Sequence, residues 1–281
     1  MKIQDVAKLS PQERLVYWIR EREAIRLKKE AGQPRPWTDD EILDTYRFCN
    51  VRRMDDKVSK WLLENWYKPY FDHQNMLIAV ALARFFNSVE TLEYMGFPEK
   101  DWNAEKLKAS VRKFRDGGNR VFNGAYVVRV NDGEDKISSV VDYFVSPLVG
   151  KSGELIDRSS MENTHTNLTN CYGFGSFMAG QVVSDLRWAC KGSWRDRLIW
   201  APIGPGSKKG INYLNGREGK FPISQTAFLE ELREVKKLCE RRLSNKITDR
   251  LEMMDYQNCM CEYRAYHHAI ENIRNPKRLY R

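Results

Sequence analysis

The sequence lacks the usual marks of membrane, secreted and metal-cluster proteins. Its longest apolar run, Met76–Phe86, is 11 residues long and contains Arg84, whereas a transmembrane helix needs about 20 apolar residues. Six cysteines form no CxxC pair, and the first residues, MKIQDVAKLSPQERL, are polar and charged, unlike a secretory signal. We therefore expect reduced thiols, a cytoplasmic location and no membrane partner.

Strand patterns are scarce, and repeats and low-complexity segments are absent. Helical periodicity predicts a mainly α fold in a single domain, residues 1–281, with a helical N-terminal extension over about residues 1–37. The candidate short β element is Arg120–Val130, and Trp194–Gly219 predicts a long irregular loop because it is rich in Pro, Gly and Lys. The predicted helices are residues 10–30, 38–48, 55–67, 72–86, 88–95, 103–115, 138–148, 159–170, 176–191, 224–243 and 248–270.

Acidic residues are outnumbered by basic ones. The chain has 47 Lys and Arg against 38 Asp and Glu, which gives a net charge of +9. Such an excess indicates an anionic partner such as nucleic acid. The GxxxxGK[ST] spacing of a P-loop is absent, so the sequence gives no support for nucleotide triphosphate hydrolysis by that loop.

The segment YGFGSFMAGQVVSDLRW, Tyr172–Trp188, has the layout of a helix-hairpin-helix that binds nucleic acid. Gly173 and Gly175 permit a tight turn with free N–H groups, and a helix begins directly after them at Ser176. The positive end of that helix would face a phosphate. The same pattern also opens many ordinary helices.

The segment Arg47–Asp56 combines two arginines, an asparagine and two carboxylates. Guanidinium groups bind phosphate oxygens with two donors, so Arg52 and Arg53 are candidates for phosphate binding. Asp55 and Asp56 stand at the start of the next predicted helix, where aspartate is a common cap. A capping role and a catalytic role are both open for them.

The segment Gly117–Gly124 predicts a tight turn that offers Asn119 and Arg120 to a ligand, or an ordinary helix terminator before a strand. Gln181 and Asp185 lie four residues apart on one face of a predicted helix. Because aspartate is unfavourable inside a helix, we expect Asp185 to pair with an arginine, such as Arg52 or Arg53, or to act as a general base.

Two further segments carry polar candidates. The segment GPGSKKG, residues 204–210, has the composition of a phosphate-binding loop without the Walker spacing. The last predicted helix carries Gln257, Asn258 and Glu262 beside core-like Tyr263. A zinc site would need ligands at a different spacing from the nearby cysteines and histidines, Cys259, Cys261, His267 and His268, so we predict no metal site.

Five blocks in one order resemble the α-glutamyl/putrescinyl thymine pyrophosphorylase family, which are phage amino acid:DNA transferases. The blocks are RFCNVRRMDDKVSKWL, GGNRVFNGAY, GFGSFMAGQVVSDL, GPGSKKG and QNCMCEY, and the resemblance covers about Thr38–Tyr266. That family is related to the helical domain of 5-hydroxymethyluracil DNA kinases. The chain departs from it at Arg264 and Ala265, where an acidic and then a basic residue are expected.

The resemblance implies a helix-hairpin-helix, DNA-glycosylase-like helical fold and an enzyme of phage DNA hypermodification. Such an enzyme displaces phosphate or pyrophosphate from phosphorylated 5-hydroxymethyluracil in double-stranded DNA with the amine of a free amino acid or a polyamine. A DNA kinase would be a partner, the infected bacterial cytoplasm the location, and base flipping a step. A divalent cation is left open as a cofactor.

The resemblance and the residue chemistry together predict the roles of the candidate residues. Candidate bases are Asp56, Asp185 and Glu262. Candidates for binding the leaving phosphate are Arg52, Arg53, Arg120, Lys208 and Lys209. Candidates for the substrate pocket are Asn50, Asn119, Gln181, Gln257 and Asn258. Candidates for DNA contact are Gly173, Gly175, Ser176, Gly204, Gly206 and Ser207.

Two alternatives use the same features. A DNA glycosylase on this scaffold would flip a base and cleave its glycosidic bond with an aspartate; the hairpin has no lysine, which disfavours a lyase. A non-catalytic DNA-binding module accessory to a 5-hydroxymethyluracil DNA kinase would need only the basic charge and the hairpin.

Overall fold

The computed structural model describes residues 2–123, 130 and 133–280. The regular structure of these residues is helical, and their one strand-like pairing is an antiparallel bridge between Tyr46 and Leu279, which confirms a mainly α fold. Among these residues, each helix is too short or too polar to cross a bilayer. Of the predicted β element, residues 124–129 lie outside the described residues, and the others form no strand.

The chain divides into two compact units. Unit 1 comprises Met1–Asp56 and Arg197–Arg281, and unit 2 comprises Lys57–Asp196. Unit 1 is therefore built from both ends of the chain, and unit 2 is one continuous segment between them. The single domain and the helix-hairpin-helix, glycosylase-like character of the fold stay predictions.

Unit 1 is built around a long N-terminal helix and the C-terminal helices. Its described helices are α1 (Ile3–Ala7), α2 (Pro11–Glu30), α3 (Glu41–Thr45), α12 (Pro205–Leu214), α13 (Gln225–Arg242), α14 (Asn245–Thr248) and α15 (Met253–Ile270), with a 3₁₀ turn at Arg53–Asp55. In α2, Ser10 and Glu13 form a capping box before Pro11. Because α2 packs against α12, α13 and α15, it belongs to the core of unit 1, although the sequence predicts an extension there.

The predicted irregular loop Trp194–Gly219 is wrong, because α12 lies within it. A Cβ on Gly206 would lie 2.3 Å from Sγ of Cys261, and a Cβ on Gly210 would lie 2.0 Å from the carbonyl oxygen of Met260. These glycines therefore let α12 approach α15 closely. Glycine, proline and lysine here start a packed helix rather than a loop.

Unit 2 contains the apolar helix of the sequence. Its described helices are α4 (Lys57–Trp61), α5 (Met76–Phe86), α6 (Val89–Met95), α7 (Ala104–Asp116), α8 (Lys136–Ser138), α9 (Ser152–Leu155), α10 (Met161–Thr169) and α11 (Ser176–Ala189). All 11 residues of α5 are buried, as predicted for a core helix, and α5 packs against α11.

Two segments that were predicted as α-helices form mostly π-helix and 3₁₀-helix instead. The segments predicted at 55–67 and 138–148 each pass from a short α-helix into a π-helix, Leu62–Tyr67 and Ser139–Val145, and end in 3₁₀ turns at Lys68–Tyr70 and Ser146–Leu148. Both 3₁₀ turns have proline in the second position. Proline has no N–H for the carbonyl four residues earlier, so the helical register changes where it occurs.

Candidate functional site

In unit 1, one short loop holds two carboxylates. The backbone N–H of Cys49 donates to Oε2 of Glu262 at 2.9 Å, and the next N–H, of Asn50, donates to Oδ1 of Asp56 at 2.9 Å. Among the described residues, the second oxygen of each carboxylate accepts no hydrogen bond. The structure thus brings together three predicted site residues, Asn50, Asp56 and Glu262, and one oxygen of each carboxylate has no hydrogen-bond partner among the described residues.

Burial makes Asp56 a stronger base than an exposed aspartate. Desolvation of its carboxylate raises the pKa of Asp56 to about 6; the hydrogen bond from Asn50 opposes this shift, and the negative charge of Glu262 adds to it. A carboxylate with this pKa is ionised near neutral pH and still accepts a proton. Asp56 directly precedes α4, and the hydrogen bond of its side chain is with the loop N–H of Asn50; the capping alternative stays open.

A buried arginine fixes the loop. Arg22 is 3% exposed, and its guanidinium donates to the carbonyls of Phe48 (3.3 Å) and Cys49 (3.2 Å), to Oδ1 of Asn50 (2.8 Å) and to the hydroxyl of Tyr280 (3.3 Å). All four acceptors are neutral. Sequence reasoning missed Arg22, because nothing in the local pattern of α2 distinguishes it from a surface arginine.

Helix α15 presents the other polar candidates of unit 1. Gln257 donates through Nε2 to Oγ of Ser207 at 3.2 Å. Asn258 and Glu262 share a helix face because they are four residues apart; both are half-buried, and the side chain of Asn258 makes no hydrogen bond to other described residues. Burial raises the pKa of the neighbouring Cys261 thiol to about 11, so this cysteine is a neutral group at neutral pH.

The segment predicted as a phosphate loop lies at the start of α12. Gly204, Gly206 and Ser207 are buried, and Oγ of Ser207 accepts from the N–H of Gly204 at 3.1 Å. These three residues pack a helix junction, and their contact with DNA stays a prediction. Lys208 and Lys209 follow on α12 and are half-buried.

The acidic residue before Asp56 has a structural role. The carboxylate of Asp55 is near Arg26 (3.4 Å), Arg52 (3.5 Å) and Arg250 (3.0 Å). The carboxylate of Asp55 thus pairs with arginines and does not cap a helix, so the capping alternative for Asp55 is wrong. One of these arginines is Arg52, a candidate for phosphate binding. Arg53 is buried, and its backbone N–H donates to Oδ1 of Asp255 at 2.8 Å.

In unit 2, Asp185 belongs to a buried group. It is 1% exposed, accepts from Nε of Arg84 at 2.6 Å and accepts from the hydroxyl of Tyr67 at 2.5 Å. Asp185 therefore pairs with an arginine, as expected, and within this unit that arginine is Arg84. The signal for Arg84 was present, because it is the one charge in the apolar run of α5. Gln181 is also buried, one turn before Asp185 on α11.

The predicted turn after α7 forms as a helix terminator. Gly118 has a φ of +83°, and Nδ2 of Asn119 donates to the carbonyl of Phe114 at 3.0 Å. Arg120 is exposed and donates through Nε to the carbonyl of Phe122 at 2.9 Å. The hydrogen bond from the Asn119 side chain to the last turn of α7 favours the helix-terminator alternative for this residue. Gly124 lies outside the described residues.

The predicted hairpin joins α10 to α11 in unit 2, and these two helices pack together. Gly173 has a φ of +84°, and a Cβ there would lie 2.2 Å from Cδ1 of Phe144, so glycine is required at this position. Gly175 and Ser176 are exposed at the start of α11, and buried Phe174 anchors the turn. An exposed helix start suits a phosphate, and the DNA contact itself stays a prediction.

Comparison with known proteins identifies the family. The sequence matches the family described as "5-hmdU DNA kinase, helical domain" over residues 11–275. The chain belongs to this family. Among curated proteins, the 5-hmdU DNA kinase of Bacillus phage SP10 is 30% identical over 211 residues, which cover 65% of this chain and 32% of that protein. The chain thus spans about a third of the length of that relative. No solved structure matches the chain.

Family membership confirms one part of the sequence resemblance, the relation to the helical domain of these kinases. The narrower thymine pyrophosphorylase family stays a prediction. In the described residues, no group of three or more His, Cys, Asp or Glu side chains is arranged to hold a metal ion.

Proposed function

We propose that the chain is a phage DNA-modifying transferase that replaces the phosphate or pyrophosphate on 5-hydroxymethyluracil in DNA with an amine. Membership of the 5-hmdU DNA kinase helical-domain family supports a role in modification of this base. One observation carries the chemical proposal: Asp56 and Glu262 are held by consecutive loop N–H groups, and each keeps one carboxylate oxygen without a partner among the described residues.

The reaction needs a base and a site for a departing anion. The amine nitrogen attacks the methylene carbon on the uracil ring, a C–N bond forms, and the C–O bond breaks with its electron pair leaving on the phosphate. Asp56 accepts the proton that the nitrogen loses. Since the α-amine of an amino acid has a pKa of roughly 8, a base with a pKa about 6 gives moderate assistance.

The remaining polar groups have roles in this proposal that follow from their chemistry. Glu262 accepts a second N–H of the incoming amine and holds it against Asp56. Asn50, Gln257 and Asn258 orient the uracil edge or the amine donor, since amides both donate and accept hydrogen bonds. The hairpin at Gly173–Ser176 binds the phosphodiester backbone through the N–H groups that begin α11.

The test uses duplex DNA that carries phosphorylated or pyrophosphorylated 5-hydroxymethyluracil, a mixture of amino acids and polyamines, and nucleoside mass spectrometry after digestion. We expect a new thymidine adduct whose mass names the donor. Asp56→Asn and Glu262→Gln should slow its formation, the first by about 100-fold or more. The matched control is Asp39→Asn, which removes an exposed carboxylate of the same unit and should leave the rate unchanged.

Other products would contradict the proposal. Free modified base or abasic sites would indicate the glycosylase alternative. Tight DNA binding with unchanged nucleosides, for every amine and both phosphorylation states, would indicate the accessory DNA-binding module.

A further inference from the structure

Unit 1 carries an exposed cluster of cations and aromatic rings that the proposed chemistry does not use. We call it the basic cluster; it consists of Lys29, Arg35, Trp37, Arg47, Arg278 and Tyr280. The rings of Trp37 and Tyr280 meet edge to face at 5.4 Å between centroids. Nζ of Lys29 lies 5.1 Å from the first ring and 4.9 Å from the second, and the guanidinium carbon of Arg35 lies 5.5 Å from both. The rings hold these cations by cation–π attraction.

Separate segments of the chain meet in the basic cluster. The N–H of Arg47 donates to the carbonyl of Arg278 at 2.8 Å, and the N–H of Tyr280 donates to the carbonyl of Thr45 at 3.1 Å. These two bonds join the loop after α3 to residues 278–280. The side chains of Arg47 and Arg278 are therefore placed by paired backbone, and both are exposed.

Few of the described carboxylates neutralise the positive charge of the basic cluster. Among the described residues, Lys29, Arg47 and Arg278 form no ion pair with a carboxylate, and Arg35 pairs with Asp44 at 3.0 Å. Behind them, buried Arg22 bonds only to neutral oxygens. Partial burial lowers the pKa of Lys29, and the charges of Arg22, Arg47 and Arg35 lower it further. Four cations thus share one carboxylate partner among the described residues, so the cluster carries a net positive charge.

The basic cluster borders the two carboxylates of unit 1. Nη1 of Arg278 lies 4.0 Å from Sγ of Cys49, and the N–H of the same cysteine holds Glu262. The hydroxyl of Tyr280 accepts from Arg22, which also donates to Asn50. A ligand bound by the exposed cations would thus be adjacent to the proposed reaction centre.

We propose that the basic cluster binds phosphates of the DNA backbone next to the modified nucleotide. This inference rests on the proposed function for the identity of the polymer. Exposed arginines on paired backbone suit phosphodiester oxygens. Lys29, Arg47 and Arg278, which have no carboxylate partner among the described residues, are enough cations for more than one phosphate.

The test measures binding of the full chain to a fluorescent duplex without modified bases, over a range of salt concentrations. The double variant Arg47→Gln, Arg278→Gln removes two exposed cations that have no carboxylate partner among the described residues, so the fold should persist. We expect Kd to rise about tenfold and the slope of log K against log salt to fall in magnitude by about 2, since each phosphate contact contributes about 0.9. Arg241→Gln with Arg242→Gln, which removes two exposed charges at the end of α13, should change neither quantity appreciably.

Two outcomes would overturn the inference. In the first, both double variants bind the duplex with the same Kd and salt slope. In the second, the Arg47 and Arg278 variant loses affinity for inorganic pyrophosphate but not for the duplex, so that the cluster binds the leaving group instead. Because the duplex carries no modified base, this test is independent of transferase activity: adduct formation can fail while the basic cluster still binds DNA.

Discussion

The backbone N–H of Asn50 donates to Oδ1 of Asp56 at 2.9 Å, which joins the loop to the proposed base. The bond closes a short segment that includes the 3₁₀ turn Arg53–Asp55. It also opposes the burial that raises the pKa of Asp56, so the carboxylate has its pKa at about 6 and is ionised at neutral pH. Both the reaction rate and the stability of the protein should therefore depend on the charge of this one side chain.

The rate should depend on the ionisation of Asp56. Because the base acts when deprotonated, kcat/KM should rise with pH through an apparent pKa of about 6. Adduct formation is measured across pH with two amine donors of different pKa. The rise of kcat/KM with an apparent pKa near 6 should be the same for both donors. The rise caused by deprotonation of the amine should shift with the pKa of the donor. A profile that follows only the donor would contradict the role of Asp56.

Replacing the same carboxylate should stabilise the protein at high pH. The folded pKa is raised above the unfolded value, so the ionised form is disfavoured in the folded state once the pH exceeds about 6, and below about pH 4 there is no penalty. Asp56→Asn should therefore increase the free energy of unfolding by about 1 to 3 kcal/mol at about pH 8. Denaturant unfolding at both pH values checks this. An equal gain at low pH, or a loss at high pH, would count against the buried charge as its cause.

The contact of Gly206 with Cys261 predicts a packing defect. Gly206→Ala would place a Cβ 2.3 Å from Sγ of Cys261, so that the thiol must rotate into the packed interface or α12 must move away from α15. The free energy of unfolding should fall by about 1 to 3 kcal/mol. Gly153→Ala is the control, since a Cβ there meets no atom within 4 Å. If both variants melt at the same temperature, the helix contact is looser than the structure indicates.

The stability of the protein should depend on the buried ion pair between Arg84 and Asp185 in unit 2. Asp185→Ala leaves the guanidinium of Arg84 buried without that carboxylate, so stability should fall by about 3 to 5 kcal/mol. Adding Arg84→Met should restore part of the loss, because the buried charge that lost its carboxylate is then gone. The comparison is Glu64→Ala, which breaks the exposed pair with Lys68 and should cost less than about 1 kcal/mol. A double variant no better than the single would show that charge is not the cause.

Helices with complete local signals could be predicted from the sequence. Ser10 and Pro11 start α2, and the regular apolar positions Phe228, Leu232 and Val235 define the buried face of α13. The start of α12 could not be predicted, because a glycine- and lysine-rich segment has the same composition in a phosphate loop and in a closely packed helix. The distinction depends on Cys261 of α15, far away in the sequence.

The sequence predicted Asn50, Asp56 and Glu262 as site residues, and the fold brings these three together around one loop. Their role stays a prediction, and the way the loop is held could not be predicted. Arg22 and Arg278 carried no local signal, since their contacts are with backbone and with residues distant in sequence. Arg84 was visible as a charge inside an apolar helix, although its pairing with Asp185 was not.

The hydrogen bonds from Arg22 have a consequence for how specificity can change. One guanidinium orders three consecutive residues, Phe48–Asn50, before any substrate arrives, so substrate binding bears no entropy cost for ordering this loop. A lysine could not replace the planar fork that bonds them. Substitutions that change the proposed amine donor should therefore occur at half-buried Asn258 of α15 and its neighbours, where a side chain can change without disturbing the loop.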